Sequence, residues 1–211
     1  MKLYSYFRSS AAYRVRIALN LKNIPYEMQS IHLAKDGGHN RKPEYQVVNP
    51  QMKVPALKLS NGDILIQSMA IIAYLDEVYP EPALLPAEAV ARAKVRAIAQ
   101  VVACDIHPID NVAPLRYLKN QLGHSQEEID AWYHHWIIEG FNAIEAMITP
   151  GPYACGADVT LADLCLVPQV FNANRMKVPL DRYPKILAAE AACQKLPAFD
   201  KARPEKQPDA E

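Results

Sequence analysis

The hydrophobic period of this chain changes at one place, the proline-marked stretch from Pro80-Glu81-Pro82 to Pro86. Before it, residues 2–79 switch between alternation at period two and apolar positions at helical spacing, which predicts strands interleaved with helices. After it every apolar repeat is helical, over roughly 87–121, 126–148, 160–175 and 183–195. Closely spaced prolines make a stiff connector that neither a helix nor a central strand continues through. The division predicts an α/β domain over 1–80, a linker over 81–86 and an all-α domain over 87–211. A chain of 211 residues has ample material for two cores.

Within the first part, Leu3-Tyr4-Ser5-Tyr6-Phe7 alternates as a short strand. The helix after it carries Val15, Ala18, Leu19 and Lys22 at helical spacing and stops at Lys22-Asn23, because Pro25 blocks its continuation. Tyr26 to Leu33 alternates again, and a helical crossover makes this strand parallel to the first. A polar loop over 35–42 leads to a short helical piece from Pro43 to Val48, a turn at Asn49-Pro50 and a strand from Val54 to Leu59. Asn61-Gly62 signals a tight hairpin, so Ile64-Leu65-Ile66 returns antiparallel. Gln67-Ser68 then opens a helix with Ile71, Ile72 and Leu75 on its apolar side. In the second part, Thr160 and Asp163 form a capping-box pair flanked by Val159 and Leu164, a folding signal. The residues from Ala198, with Pro204 and Pro208, are polar and expected to lie extended over the surface.

Composition removes several classes of function. The chain balances 23 basic against 23 acidic residues, so no net field favours nucleic acid or an anionic membrane. No apolar run approaches the ~20 residues of a membrane span. Arg8 interrupts the first apolar stretch, and we expect no signal peptide. The four cysteines, Cys104, Cys155, Cys165 and Cys193, form no Cys-x-x-Cys pair and sit among apolar or small residues. They read as buried free thiols of a reducing cytoplasm, and the histidines are not spaced with them for a metal site.

The chemistry concentrates where the first helix begins. Ser9 and Ser10 stand at a helix N-terminus, where unpaired N–H groups and the positive end of the macrodipole suit an anion, and Arg8 precedes them. Simple capping is the alternative use of either serine. Gln67-Ser68 repeats the arrangement at a second helix N-terminus, suited to a carboxylate. Val54-Pro55 places a proline at the head of a strand. A cis bond there would turn the Val54 backbone toward an extended peptide, whereas a trans edge proline is the commoner form. His39 and Asn40 add polar groups in the 35–42 loop.

These parts resemble the glutathione transferase family, zeta class. The likeness rests on Leu3-Tyr4-Ser5-Tyr6-Phe7-Arg8-Ser9-Ser10, Arg14-Val15-Arg16-Ile17-Ala18-Leu19, Lys35-Asp36-Gly37-Gly38, Val54-Pro55-Ala56-Leu57, Gln67-Ser68-Met69-Ala70-Ile71 and Asp105-Ile106-His107-Pro108. It continues through Leu161 to Val170 and ends near Gln207-Pro208-Asp209, spanning essentially the whole chain. The resemblance implies a thioredoxin-like N-terminal domain, an all-helical C-terminal domain, a homodimer and a cis Pro55. It implies glutathione as cofactor, held by Ser9, Ser10, Ala11, His39 or Asn40, Val54, Pro55, Gln67 and Ser68, with His107 and Asn111 from the second domain. It further implies glutathione-dependent cis–trans isomerisation of a small keto-diacid, maleylacetoacetate to fumarylacetoacetate in aromatic amino-acid breakdown, with maleylpyruvate as the near alternative. Ser9 or Ser10 would stabilise the thiolate, while Arg8 and Arg175 would meet the substrate's carboxylates. A general transferase for small electrophiles and a non-catalytic interaction module are the other readings. Two departures stand out. The class carries Ser-Ser-Cys where this chain has Ser9-Ser10-Ala11, and its bacterial members often carry Asn-Asn and an Arg where this chain reads Ile109-Asp110-Asn111-Val112-Ala113-Pro114.

Overall fold

The computed structural model describes all 211 residues. The chain forms two compact units, Met1–Ala83 together with Lys195–Glu211, and Leu84–Gln194.

The first unit runs β1 (Lys2–Ser5), α1 (Ser10–Leu21), β2 (Glu27–Ser30), α2 (Pro43–Gln46), β3 (Ala56–Lys58), β4 (Ile64–Ile66) and α3 (Ser68–Val78). Its sheet has the order β2-β1-β3-β4, the thioredoxin-like arrangement. The crossover through α1 makes β1 and β2 parallel, with Leu3 opposite Met28. β3 pairs antiparallel to β1, Leu57 opposite Leu3, and the Asn61-Gly62 hairpin brings β4 back against β3. The strands are shorter than their apolar runs: Val54 to Leu59 contributes only Ala56–Lys58. Pro55 has no N–H with which to extend the ladder. Val15, Ala18 and Leu19 of α1 and Ile71, Ile72 and Leu75 of α3 are buried, and the two helices pack together. Each large aliphatic side chain among them contributes about 1.5–3 kcal/mol. Lys22, on the same face, is buried because its ammonium donates to Asp76 Oδ1 (2.9 Å) and the carbonyls of Tyr79 (2.6 Å) and Pro82 (3.0 Å).

The second unit holds α4 (Ala89–Gln100), a π-helical turn over Val101–Ile106, α5 (Val112–Asn120), α6 (Gln126–Met147), α7 (Leu161–Arg175) and α8 (Pro184–Cys193). The single helix expected over 87–121 is therefore broken. Pro108 lacks the N–H a continuing helix needs, whereas Pro114 is tolerated in the first turn of α5. The π turn comes so near α6 that a Cβ on Gly140 would lie 2.3 Å from Ile106 Cδ1. The capping box of α7 forms as expected: Asp163 Oδ2 accepts from the Thr160 N–H (2.8 Å) and hydroxyl (3.1 Å), and Oδ1 accepts from the Ala154 N–H (2.8 Å).

Two expectations are corrected. The residues after Ala198 do not lie extended: α9 (Pro197–Ala202) and a 3-10 turn (Pro204–Lys206) return to the first unit, with Phe199, Ala202, Pro204 and Gln207 buried. Two apolar side chains spaced i, i+3 are too short a pattern to announce a helix. Their packing on α1 makes it, with Asn20 Nδ2 donating to the Ala198 carbonyl at 3.0 Å. The cysteines are all free, but only Cys165 and Cys193 are buried; Cys104 is exposed on the π turn and Cys155 is half-buried. No helix is long and apolar enough to cross a membrane.

Candidate active site

Ser9 is the N-cap of α1. Its backbone is extended (φ −69°, ψ 114°) and its Oγ accepts from the Ala12 N–H at 3.2 Å. That bond uses a lone pair and leaves the hydroxyl proton to donate elsewhere, so capping and ligand binding are compatible. No acidic residue stands in the first turn of α1, and the positive end of its dipole is unanswered. Ser10 is buried inside the first turn, whereas Ser9 and Ala11 are partly exposed. Arg8 is exposed and folds over its own loop: its guanidinium donates to the Tyr6 hydroxyl at 2.8 and 3.2 Å and lies 5.0 Å from the Phe7 ring centroid.

At α3 the N-cap is Gln67, with φ +70°. A side chain in this left-handed region costs on the order of 1 kcal/mol, and such outliers gather at ligand sites. Gln67 is exposed and its Nε2 donates to Gln51 Oε1 at 2.6 Å. Ser68 is buried and its Oγ accepts from Arg14 Nη1 at 3.5 Å, a bond between α1 and α3. The first turn of α3 also lacks an acidic residue. The Val54–Pro55 bond is cis, and Val54 clusters with Tyr6 and Phe7 of the β1–α1 loop and with Ile31 and Tyr45.

The 35–42 loop divides its two candidates. His39 is paired at 3.0 Å with Asp36, whose carboxyl is held below its ordinary range by that bond and by the Lys42 charge. Asn40 anchors the loop by donating to the Met52 carbonyl at 2.7 Å, and its Oδ1 is buried without a hydrogen bond. Gly38, at φ +100°, leaves room for Asn40: a Cβ there would lie 2.8 Å from that Oδ1.

In the second unit His107 follows the π turn, its N–H bonded to the Val102 carbonyl at 2.9 Å, and Asn111 caps α5 with Oδ1 on the Val112 N–H at 2.7 Å. The Trp132 indole N–H donates to the Ile109 carbonyl at 3.2 Å and ties this segment to α6. Arg175, at the exposed end of α7, hydrogen-bonds the buried Tyr133 hydroxyl; burial pushes that phenol up to about 12 despite the guanidinium. Sequence reasoning did not value Asp110. It is 7% exposed, neither carboxyl oxygen has a hydrogen-bond partner, and burial raises it to about 8. Its only signal was an acid standing where the resemblance has an amide.

Three of the chain's own thiols are poorly placed for nucleophilic work. Burial raises Cys155 to about 11 and Cys193 further, and Cys165 is fully buried. Against this stand two acid-free helix N-termini in one unit, with Ser9, Ser68 and the strained Gln67 beside them. Such a donor set fits an elongated thiol peptide with a carboxylate at one end.

A family model described as "Glutathione S-transferase, N-terminal domain" matches residues 3–83. A probable maleylacetoacetate isomerase of Vibrio cholerae serotype O1 is 47% identical, covering 99% of this chain and 97% of its own. Among solved structures, a holo maleylpyruvate isomerase, described as a bacterial zeta-class glutathione S-transferase, superposes with a TM-score of 0.96 at 48% identity over the whole of both chains. A maleylacetoacetate isomerase from Methylobacterium extorquens AM1, with malonate and GSH bound, gives 0.95 at 37% identity, also over both whole chains.

Proposed function

The chain belongs to the zeta class of the glutathione S-transferase family, and from that premise we propose that it is a glutathione-dependent cis–trans isomerase of maleylacetoacetate, giving fumarylacetoacetate. The observation that carries the reading is Ser9 at the acid-free N-terminus of α1, in a chain whose full-length relatives bear isomerase names. Maleylpyruvate is the second substrate, favoured by the whole-chain match to the isomerase of that compound.

Rotation about a C=C bond is prohibitively slow. Glutathione, when bound, would supply a thiolate for reversible addition to the alkene, which makes that bond single and free to rotate, and Ser9 with the N-terminus of α1 would hold the sulfur. The protein's task is to keep that sulfur ionised near neutral pH. Lowering a thiol by about two pKa units takes about 2.7 kcal/mol of preference for the anion. The N-terminus of α1 contributes about 0.3–2 kcal/mol, and the Ser9 hydroxyl proton supplies much of the rest. In this reading Ser10, Ala11, Val54, Pro55, Gln67, Ser68 and His39 or Asn40 hold the peptide, joined by His107 and Asn111. The absence of the class cysteine leaves Ala11 only a backbone N–H to offer, so no protein thiol at this point is required. Arg8 and Arg175 are assigned to the substrate's carboxylates and the charge that develops on its ketone oxygen. We also propose a homodimer and a cytoplasmic location, the latter supported by four unpaired cysteines.

The test is direct. Purified protein, dialysed and treated with a thiol scavenger, should isomerise neither substrate, and added glutathione should restore turnover. Conversion at an undiminished rate without glutathione refutes the proposal. Comparing kcat/KM for the two keto-diacids ranks them.

A further inference from the structure

The motif Gln207-Pro208-Asp209 has no part in the chemistry above, yet the side chains of Gln207 and Asp209 make two hydrogen bonds each. Gln207 is 8% exposed, and its Nε2 donates to the carbonyls of Lys201 (3.0 Å) and Arg203 (2.8 Å), which closes the turn after α9. That turn delivers Asp209 to the place where β1 and β2 part. Their pairing ends with the Ile31 N–H on the Ser5 carbonyl at 2.7 Å. Beyond it, Asp209 Oδ2 accepts from the Phe7 N–H at 3.1 Å and from the Ser30 hydroxyl at 2.9 Å. A carboxylate from the C-terminal segment thus continues the sheet where no strand residue does.

We propose that Asp209 is a positioning residue for the β1–α1 loop: by holding the Phe7 amide and Ser30 it sets the register of Arg8 and Ser9, and through them the affinity of the site for glutathione.

The surrounding bonds give this a physical basis. Phe7 lies two residues before Ser9, and the Ser9 N–H is bonded back to the Tyr6 carbonyl at 3.0 Å, so displacement of Phe7 is passed to the cap. From the other side the loop is gripped by Arg16, which donates to the carbonyls of Phe7 (3.0 Å) and Tyr6 (3.5 Å) and to Ser5 Oγ (3.2 Å). The same guanidinium donates through Nε to the Ala202 carbonyl at 3.0 Å, so loop and C-terminal segment share one cation. Burial lowers Arg16 to about 10, a shift opposed first by Tyr26 and Tyr13 and to a smaller extent by Asp209. A second anchor lies further on. His32 Nδ1 accepts the N–H groups of Ala34 (3.1 Å) and Lys35 (2.8 Å), which leaves the proton of the neutral ring on Nε2, 3.3 Å from Glu211 Oε1. Lys35 pairs with the same carboxylate. The strap therefore touches both loops that carry glutathione candidates, the one with Ser9 and the one with His39 and Asn40.

The experiment compares Asp209→Ala with Asp209→Asn in the full-length chain. Asn keeps an oxygen that accepts both hydrogen bonds, while it loses the charge and sets an NH2 group at the buried position of Oδ1, which has no partner. In Asp209→Ala, amide hydrogen exchange over Phe7–Ala12 should rise at least ~tenfold while that of α7 is unchanged. The calorimetric Kd for glutathione and its KM should rise about tenfold at nearly constant kcat, with the KM for the keto-diacid unmoved. Asp209→Asn, which keeps the acceptor of both bonds, should show loop exchange and glutathione affinity clearly closer to the parent than those of Asp209→Ala. Unchanged loop exchange or unchanged glutathione affinity in Asp209→Ala overturns the proposal, as does an Asp209→Asn as impaired as Asp209→Ala. The affinity arm rests on the functional reading. Should the parent protein itself bind no glutathione, that reading falls and the affinity claim with it, while the exchange data alone decide whether the strap positions Ser9.

Discussion

Helices α1 and α7 each begin with a hydroxyl residue at the N-cap, and they use it in opposite ways. At α7 both the N–H and the hydroxyl of Thr160 bond to Asp163, which also takes the Ala154 N–H and places a carboxylate in the first turn. Donors and dipole are both answered there, so nothing remains for a ligand. α6 is closed in the same manner by Ser125 and Glu128. At α1 Ser9 accepts one bond and the first turn holds no acid; α3 is likewise open. A helix N-terminus becomes available for chemistry where the sequence withholds its carboxylate. The presence of a serine or threonine does not distinguish the two cases.

The contrast can be broken in three ways. The largest effect is expected from Asp163→Ala, which leaves buried N–H groups of Ala154 and Thr160 without their acceptor. It should cost about 4 kcal/mol in denaturant unfolding while the folded fraction binds glutathione as before. A loss below about 1 kcal/mol would show that the closed end is not structural. Next comes Ser9→Ala, expected to reduce isomerisation at least tenfold, about 1.4 kcal/mol in the barrier, for about 1 kcal/mol of stability. Parental turnover in that variant would place α1 in the same class as α7.

The smallest effect sharpens the comparison within the second unit, where Asp163 has donors and Asp110 has none. The folded-state value of Asp110 lies at about 8, above the ordinary carboxyl range. A carboxyl raised in the folded state favours folding below its unfolded value and loses that contribution as pH rises through its folded one. Asp110→Asn does not titrate. Its stability relative to the parent should therefore grow between pH 5 and pH 9, by on the order of 1 kcal/mol after relaxation and water entry. A difference that stays flat over this range would show that Asp110 is already ionised at pH 5.

Much of the fold was legible because it depends on local chemistry. Pro25 stops α1, Asn61-Gly62 turns the hairpin, and Thr160 with Asp163 starts α7; each acts on neighbours a few residues away. The break at Pro108 was equally local and was overlooked because the apolar period continues across it. α9 was not legible, since Phe199 and Ala202 make a helix only by packing on α1. The candidate site divides in the same way. Ser9 and Ser68 follow from helix starts, but their unlike exposure does not. Asp209 lies 202 residues from Phe7, and no pattern in the chain announces that bond. Cys104 was misread because an apolar neighbourhood in sequence does not say which face of a π turn meets solvent.

By itself the sequence determined the order of strands and helices, the change of architecture after Pro86, and the hydroxyl at the head of α1. These rest on short-range sterics and periodicity, which act before distant parts of the chain meet. Only the tertiary structure decided which polar groups were already used: that His39 answers Asp36, that Asn40 holds Met52, that Asp110 is buried without a donor, and that the last residues return to strap the first loop. A hydrogen bond between remote residues depends on where packing brings them, and packing is a property of the whole core.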